Sequence, residues 1–185
     1  GLLWALETLA WAPRRLARVA LILARLSHVT IKGNWGNKPS ASLFGLFRSW
    51  LPQTAAGLQD RIKVLDLLIQ REPKAAFGVL KGLVAAGPQT ATPAARQKWR
   101  EDDAGAGHGV TEVEMYEMHV TAKERLFQLS EGNAPRIAAM LQYTSLRDLK
   151  EISRVLALME SFTLPSANDE DRETLRGALR KTIHW

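Results

Sequence analysis

Apolar residues recur every three or four positions along most of this chain, and prolines and glycines separate the runs. This spacing gives each helix one apolar stripe, and no segment shows the alternation that is typical of a half-buried strand. With 46% hydrophobic residues over 185 positions, the chain is also long and apolar enough to bury a core. The sequence therefore predicts an all-α fold.

Two segments of the first half, residues 2–27 and 57–86, predict antiparallel helix hairpins. Pro13 and Pro73 each stand in the first turn of a second helix, where proline is tolerated. Because one helix pair cannot bury its own stripe, we expect the hairpins to stack as in an α-solenoid of the HEAT or TPR type, that is, a helical repeat. The offset between the two prolines also relates four apolar positions that should be buried: Val19, Leu23, Val79 and Leu83.

The helix that follows Pro13 is also apolar at Leu21 and Ile22, outside its main stripe, so it should be buried between neighbours. A short helix is predicted over 42–50, with Ser40 or Ser42 as its cap. The tryptophans, among them Trp4, Trp11 and Trp50, are interpreted as core residues rather than as platforms on which bases stack.

Three parts are expected along the chain: N-terminal hairpins over 1–86, a loop or linker over 87–109, and a C-terminal helical part over 110–185. The linker is rich in glycine and proline and carries a short acidic run. The C-terminal helices begin at capping signals, and Ser145 precedes a helix with an apolar stripe from Leu146 to Met159. The other capping signals are Thr111 with Glu114, Asn133 and Asn168. Since both termini fall within helical patterns, we expect one continuous helical domain of a longer protein.

The absence of cysteine excludes disulfides and thiolate chemistry, and it fits a reducing compartment such as the cytoplasm. The longest apolar run, residues 19–24, is bracketed by arginines and is far shorter than the roughly 20 residues that span a bilayer. The sequence therefore predicts neither a transmembrane helix nor a signal peptide, and we expect a cytoplasmic protein.

Residues 32–40 read KGNWGNKPS, which has the glycines and lysine of a phosphate-binding loop. A nucleotide-binding loop of that kind needs G-x-x-x-x-G-K-[ST] after a strand, whereas here Gly36 precedes Asn37, Lys38 and Pro39 and the preceding segment is helical. The favoured interpretation is a structural connector, in which the two glycines permit tight turns and Trp35 anchors the loop.

Residues that could support chemistry are scattered. His119 has Met115 and Tyr116 at the preceding helical positions, so no carboxylate or second histidine completes a metal site there. Three glutamates lie close together on one predicted helix, where a solvated face is the simpler interpretation than a general acid or base. These glutamates are Glu112, Glu114 and Glu117. We expect no catalytic residues, no cofactor and no metal, and binding of neither ATP nor zinc.

The net charge of +6 is unevenly distributed. Residues 1–100 contain 15 Lys and Arg against 4 Asp and Glu, whereas residues 101–185 contain 10 against 15. This asymmetry predicts either attraction within the protein or a basic face for an acidic partner or nucleic acid. The basic contacts would be Arg14, Arg18 and Arg25, which fall within about 40° of arc on a helix, although Leu21 lies at the edge of that arc.

Five stretches carry a family resemblance: residues 2–26, 33–43, 46–54, 66–83 and 91–100. In this order they resemble the helical region of very large bacterial multidomain proteins of the signal-transduction NTPase (STAND-like) type. The similarity is most specific at the Trp11–Pro13 turn, at WLPQT over residues 50–54, and at residues 92–100. These motifs are helix junctions, so the resemblance implies a scaffold or sensor role beside an NTPase module and supplies no active site.

The sequence thus predicts a non-catalytic helical scaffold or sensor domain that mediates protein–protein interaction within a larger bacterial protein. Its partners would be proteins or neighbouring domains of the same chain, with no role at a membrane. The alternative is a nucleic-acid-binding module that uses the basic first half. An enzyme is the third and weakest hypothesis.

Overall fold

The computed structural model describes residues 1–29, 38–85, 90–91, 109–141, 149–163 and 167–183. Every regular element within these ranges is helical, which confirms the all-α prediction. The α-helices are α1 (Leu2–Ala10), α2 (Leu16–Leu26), α3 (Pro39–Phe47), α4 (Leu58–Arg71), α5 (Pro73–Val84), α6 (Glu112–Ser130), α7 (Ala134–Leu141), α8 (Leu149–Thr163) and α9 (Asp169–Ile183). A short 3₁₀ turn, Pro13–Arg15, leads into α2.

The chain forms two compact units, Gly1–Arg125 and Leu126–Trp185, and the division falls within the sequence of α6. The predicted linker, residues 87–109, lies almost entirely outside the described residues. In the first unit α2 packs against α1, α3, α4 and α5, and α3 and α4 both pack against α5. In the second unit α7 packs against both α8 and α9. The solenoid arrangement stays a prediction.

The core of the first unit is built from the apolar stripes that the sequence indicates. Four predicted core positions, one pair on α2 and one on α5, are all buried: Val19, Leu23, Val79 and Leu83. Pro73 occupies the first turn of α5 as predicted, whereas Pro13 opens the 3₁₀ turn that precedes α2.

The prediction that α2 is buried on all sides is wrong. Ile22 is 37% exposed and Leu21 is half-buried, because the neighbouring helices cover only the stripe that contains Leu16, Val19 and Leu23. Helix α2 is therefore amphipathic, and its outer side carries an apolar residue as well as arginines.

The short helix predicted over 42–50 instead begins at Pro39 and ends at Phe47. Pro39 starts the helix because its fixed φ suits the first turn, and Arg48 leaves it with ψ 127°. Ser42 therefore lies within α3, where its hydroxyl donates to Glu7 Oε1 at 2.6 Å instead of capping the helix.

Side-chain caps begin α6, α7 and α9 as predicted. Glu114 N donates to Thr111 Oγ1 at 3.2 Å and Thr111 N donates to Glu114 Oε2 at 3.0 Å, which completes the capping box of α6. Asn133 accepts the backbone N–H of Arg136, and Asn168 accepts that of Asp171. Gly132 adopts φ +66°, a conformation that favours glycine, between α6 and α7.

The tryptophans and the last predicted stripe depart from the sequence expectation. Trp4 is 57% exposed and Trp50 lies in an exposed bend, so the core interpretation is wrong for both.

The apolar stripe predicted for α8 is only partly buried: Val155 and Met159 are buried, whereas Leu149 and Leu156 are exposed. Ser145 and Leu146 lie outside the described residues.

Candidate interaction surface

The three arginines singled out in the sequence lie on the outer side of the segment that leads into and forms α2. Arg14, Arg18 and Arg25 are all exposed, and Ile22 lies on the same outer side. Two of them flank this isoleucine along the helix, at positions 18 and 25. The structure therefore presents a basic face on α2, with an apolar residue in it.

One of these arginines already has an acidic partner within the protein. Arg25 Nε donates to Glu72 Oε1 at 3.0 Å, and His28 Nε2 lies 3.0 Å from Glu72 Oε2. Hydrogen bonds from His28 and then Arg25 hold the pKa of the Glu72 carboxyl below its ordinary value. This cluster joins the end of α2 to the start of α5, and it neutralises part of the basic face.

The glutamates of α6 have structural partners. Glu114 completes the capping box with Thr111, and Glu117 Oε1 accepts a hydrogen bond from Gln59 Nε2 at 2.8 Å. Because Gln59 is neutral, the carboxylate of Glu117 keeps its negative charge at the surface. Glu112 is exposed in the first turn, where a negative charge suits the helix dipole.

A second apolar face of α6 is the feature that sequence reasoning missed. Met118, Ala122 and Leu126 are buried, but three further apolar side chains lie on another side of the helix. At 100° per residue these three fall within about 60° of arc. They are Val113, 73% exposed, Tyr116, 72% exposed, and Val120, 39% exposed. We call these three residues the α6 stripe.

The signal for this stripe is present in the sequence, because positions 113, 116 and 120 have the i, i+3, i+7 spacing of a helix face. The same helix also has the spacing of a buried face at 118, 122 and 126. Periodicity identifies both faces but does not tell which one neighbouring helices cover. Among the described residues of α6, the stripe of Val113, Tyr116 and Val120 is the apolar face that is exposed.

Arg61 on α4 is a further residue that sequence reasoning missed. It is only 2% exposed and shares a helix face with the buried Leu58, Leu65 and Leu68. Within the described part of the chain, its Nε and Nη1 atoms have no hydrogen-bond acceptor. Burial lowers the pKa of the guanidinium, and the nearby charge of Glu114 opposes that effect.

Arg48 is held differently, between two aromatic rings. Its guanidinium carbon lies 5.1 Å from the ring centre of Phe44 and 5.6 Å from that of Trp50. Such cation–π contacts hold Arg48 against Phe44 and Trp50 in the segment that follows α3. This cluster holds the turn that leads towards α4.

The histidines do not come together. His119 Nδ1 lies 3.3 Å from the carbonyl oxygen of Leu83, and His28 is the partner of Glu72. Across the described ranges, no group of three or more histidine, aspartate or glutamate side chains has the arrangement of a metal site. His108 and His184 lie outside these ranges.

Most of the KGNWGNKPS segment, through Asn37, also lies outside the described residues. Its last part is ordinary helix-start geometry: Lys38 is extended at the N-cap of α3, and its carbonyl oxygen accepts the N–H groups of Ala41 and Ser42. The interpretation of the loop as a connector rather than a phosphate site stays a prediction.

Among the helices that the structure describes, none is both long enough and apolar enough to cross a bilayer. Comparison of the chain with protein-family models, with curated proteins and with solved structures found no match.

Proposed function

We propose that this chain is a non-catalytic helical interaction domain, which acts as a scaffold or sensor within a larger cytoplasmic bacterial protein. The observation that carries the proposal is the α6 stripe of Val113, Tyr116 and Val120. Grouped apolar side chains that remain in water mark surfaces for binding, unlike single exposed ones. A tyrosine at the centre of the patch supplies a large apolar surface with a polar tip, as is typical of protein interfaces.

The positions of the charged residues support this proposal. Glu114 caps a helix, Glu117 holds Gln59, and Arg25 bridges to Glu72. Each of these charged side chains therefore has a partner within the protein and a structural role there. The resemblance of the sequence to the helical region of STAND-like proteins supports the same proposal, and the solenoid arrangement would extend the domain by adding further helix pairs.

A second candidate function is nucleic-acid binding. The observation that favours it is the exposure of Arg14, Arg18 and Arg25 on the outer side of α2 and its leading turn. The carboxylate of Glu72 opposes it, because this carboxylate holds Arg25 at 3.0 Å and places a negative charge beside the basic face. We therefore favour a protein partner.

Site-specific photo-crosslinking in cells that produce the native full-length protein tests the proposal. A photoreactive amino acid at position 116 should give adducts with protein. The matched control places the same group at Asp60, which is also exposed on a helix but lies outside the α6 stripe. Equal crosslinking at the two positions, or none at position 116, would contradict a protein-binding role for the stripe.

Fluorescence anisotropy with single- and double-stranded oligonucleotides separates the two functions. Measured at about 0.15 M salt, where the Debye length is about 8 Å, binding should be weak. Sub-micromolar binding that falls steeply with salt and is lost in the Arg14→Glu, Arg18→Glu, Arg25→Glu triple variant would establish the nucleic-acid function instead.

A further inference from the structure

The α6 stripe has a distinctive border of charge. On the helix surface Glu112 lies on one side of Val113, Tyr116 and Val120, and Glu117 lies on the other. Both glutamates are exposed, and the partner of Glu117, the amide of Gln59, brings no positive charge. The first two turns of this face are therefore apolar in the middle and acidic at the edges.

Helix α2 carries a face of the complementary kind. Ile22 is 37% exposed, with the exposed Arg18 one turn before it and the exposed Arg25 one turn after it. The charge of Arg25 is already paired with Glu72, so the contact proposed below depends on Arg18. This face is apolar in the middle and basic at the edges.

We propose that the α6 stripe of one copy of this chain binds the outer face of α2 of a second copy. Both faces belong to the same compact unit, Gly1–Arg125, and both are exposed, so neither covers the other within one molecule. A second copy presents an apolar centre for Tyr116 and Val120 and places Arg18 beside Glu117. This proposal goes beyond the proposed function, which requires a protein partner but not a second copy.

The contact between the two faces combines apolar packing with an ion pair. Ile22 packs on Tyr116 and Val120, and the Arg18 guanidinium lies near the Glu117 carboxylate, where the two form an ion pair. Each face is only about two helical turns long, so the interface belongs to the small, transient class. Association is therefore weak and depends on both protein concentration and salt.

The contact joins two different faces, so it is heterologous. Each copy that binds through its α6 stripe still offers a free α2 face to the next copy. Such a contact extends to rings or open chains of molecules instead of stopping at a symmetric dimer.

Sedimentation velocity of the purified chain provides the first measurement. The weight-average mass should rise with protein concentration up to about 1 mM and should exceed that of a dimer at the top of this range. Raising the salt from about 0.1 M to about 1 M shortens the Debye length from about 10 Å to about 3 Å and should lower this mass. A chain that remains monomeric at every concentration overturns the proposal and leaves the proposed function standing.

Charge-reversal variants identify the faces. Arg18→Glu and Glu117→Arg should each remain monomeric alone, because each creates a like-charge pair at the contact. An equimolar mixture of the two should associate again, and so should the chain that carries both changes, because opposite charges then face each other at each contact. Lys74→Glu and Glu170→Arg make the same charge changes at exposed residues that belong to neither face, and should associate like the unmodified chain.

A third variant tests the apolar part. Tyr116→Ala removes an exposed side chain, so the thermal midpoint should hardly change while association is lost. Association that persists in Arg18→Glu, Glu117→Arg and Tyr116→Ala would show that other surfaces are responsible, and would overturn the proposal.

Discussion

Arg125 on α6 and Asp66 on α4 form a bidentate salt bridge within the first unit. Arg125 Nε donates to Asp66 Oδ1 at 2.7 Å and Nη2 donates to Oδ2 at 3.2 Å. Both side chains are about one-third exposed, and the carboxylate raises the pKa of the Arg125 guanidinium. This pair links α6 to α4 at the last residue of the first unit.

A double-mutant cycle should measure the strength of this pair. With Asp66→Asn and Arg125→Gln, we expect a coupling free energy of about 1 kcal/mol, the upper part of the range for partly exposed pairs. The exposed pair Lys63–Asp60, at 3.4 Å within one helix, is the matched comparison. Its coupling should be about 0.3–0.5 kcal/mol. Urea unfolding measures both coupling free energies. Equal values for the two pairs would show that the bidentate geometry of Arg125 and Asp66 adds no stability.

Two glycines of α5 should respond to alanine in opposite directions. A Cβ at Gly82 would lie 2.6 Å from Phe44 Cε2, whereas one at Gly78 would meet nothing within 4 Å. Overpacking costs about 1–3 kcal/mol and the gain in helix propensity is about 1 kcal/mol, so Gly82→Ala should lower the free energy of unfolding by about 1 kcal/mol.

Gly78→Ala provides the internal control, since it has the propensity gain without the contact. It should raise the free energy of unfolding by about 0.5–1 kcal/mol. Urea unfolding of the two variants checks the difference in sign. If Gly82→Ala is as stable as Gly78→Ala, the Phe44 ring moves aside without cost, and the close approach at Gly82 has no energetic consequence.

These residues show what the sequence can and cannot predict. Helix starts were predictable where a local signal fixes them, as at Pro73, Thr111 and Asn133, because the chemistry lies within a few residues. Core positions such as Leu23 followed from the 3.6-residue period. The exposure of Ile22 was not predictable, because periodicity groups residues on a face but does not indicate which face a neighbouring helix covers.

At the candidate interaction surface, too, the sequence predicts local features but not those that depend on helix packing. The exposure of Arg14, Arg18 and Arg25 agreed with their helical spacing, whereas the pairing of Arg25 with Glu72 depends on contact between α2 and α5, which are far apart in sequence. The burial of Arg61 and the uncovered α6 stripe likewise depend on how the helices pack. Helix propensity carries no information about the burial of Arg61 or the exposure of the α6 stripe.

The Glu72 cluster should make stability depend on pH in the acid range. The folded state holds the pKa of Glu72 below its ordinary value of 4.5, so the stabilising effect is present above that value. It is lost as the pH falls through the lower, folded-state pKa. The difference in unfolding free energy between the unmodified chain and Glu72→Gln should therefore shrink on acidification below about 4.5.

Urea unfolding between neutral and acid pH measures this difference, and groups that both chains share cancel from it. In a chain that already carries Arg25→Ala and His28→Ala, the side-chain donors to Glu72 are absent. Glu72→Gln should then produce no further acid dependence. A difference that stays constant with pH in the original background would show that the cluster does not stabilise the folded state through this carboxylate.

Arg61 should be one of the few positions where removing a charge stabilises the protein. Its guanidinium is almost completely buried, and Nε and Nη1 find no acceptor among the described residues. The nearby Glu114 does not depend on it, because Thr111 and the start of α6 already hold that carboxylate. Arg61→Met keeps the length of the side chain and removes the cost of burying the charge, so the free energy of unfolding should stay unchanged or rise, by about 1–4 kcal/mol at most.

Arg125→Met is the control with the opposite expected sign, because it breaks the pair with Asp66. Chemical denaturation of the two variants decides the question: a clear loss of stability in Arg61→Met would mean that the guanidinium has an anionic partner, and that this partner contributes to the fold.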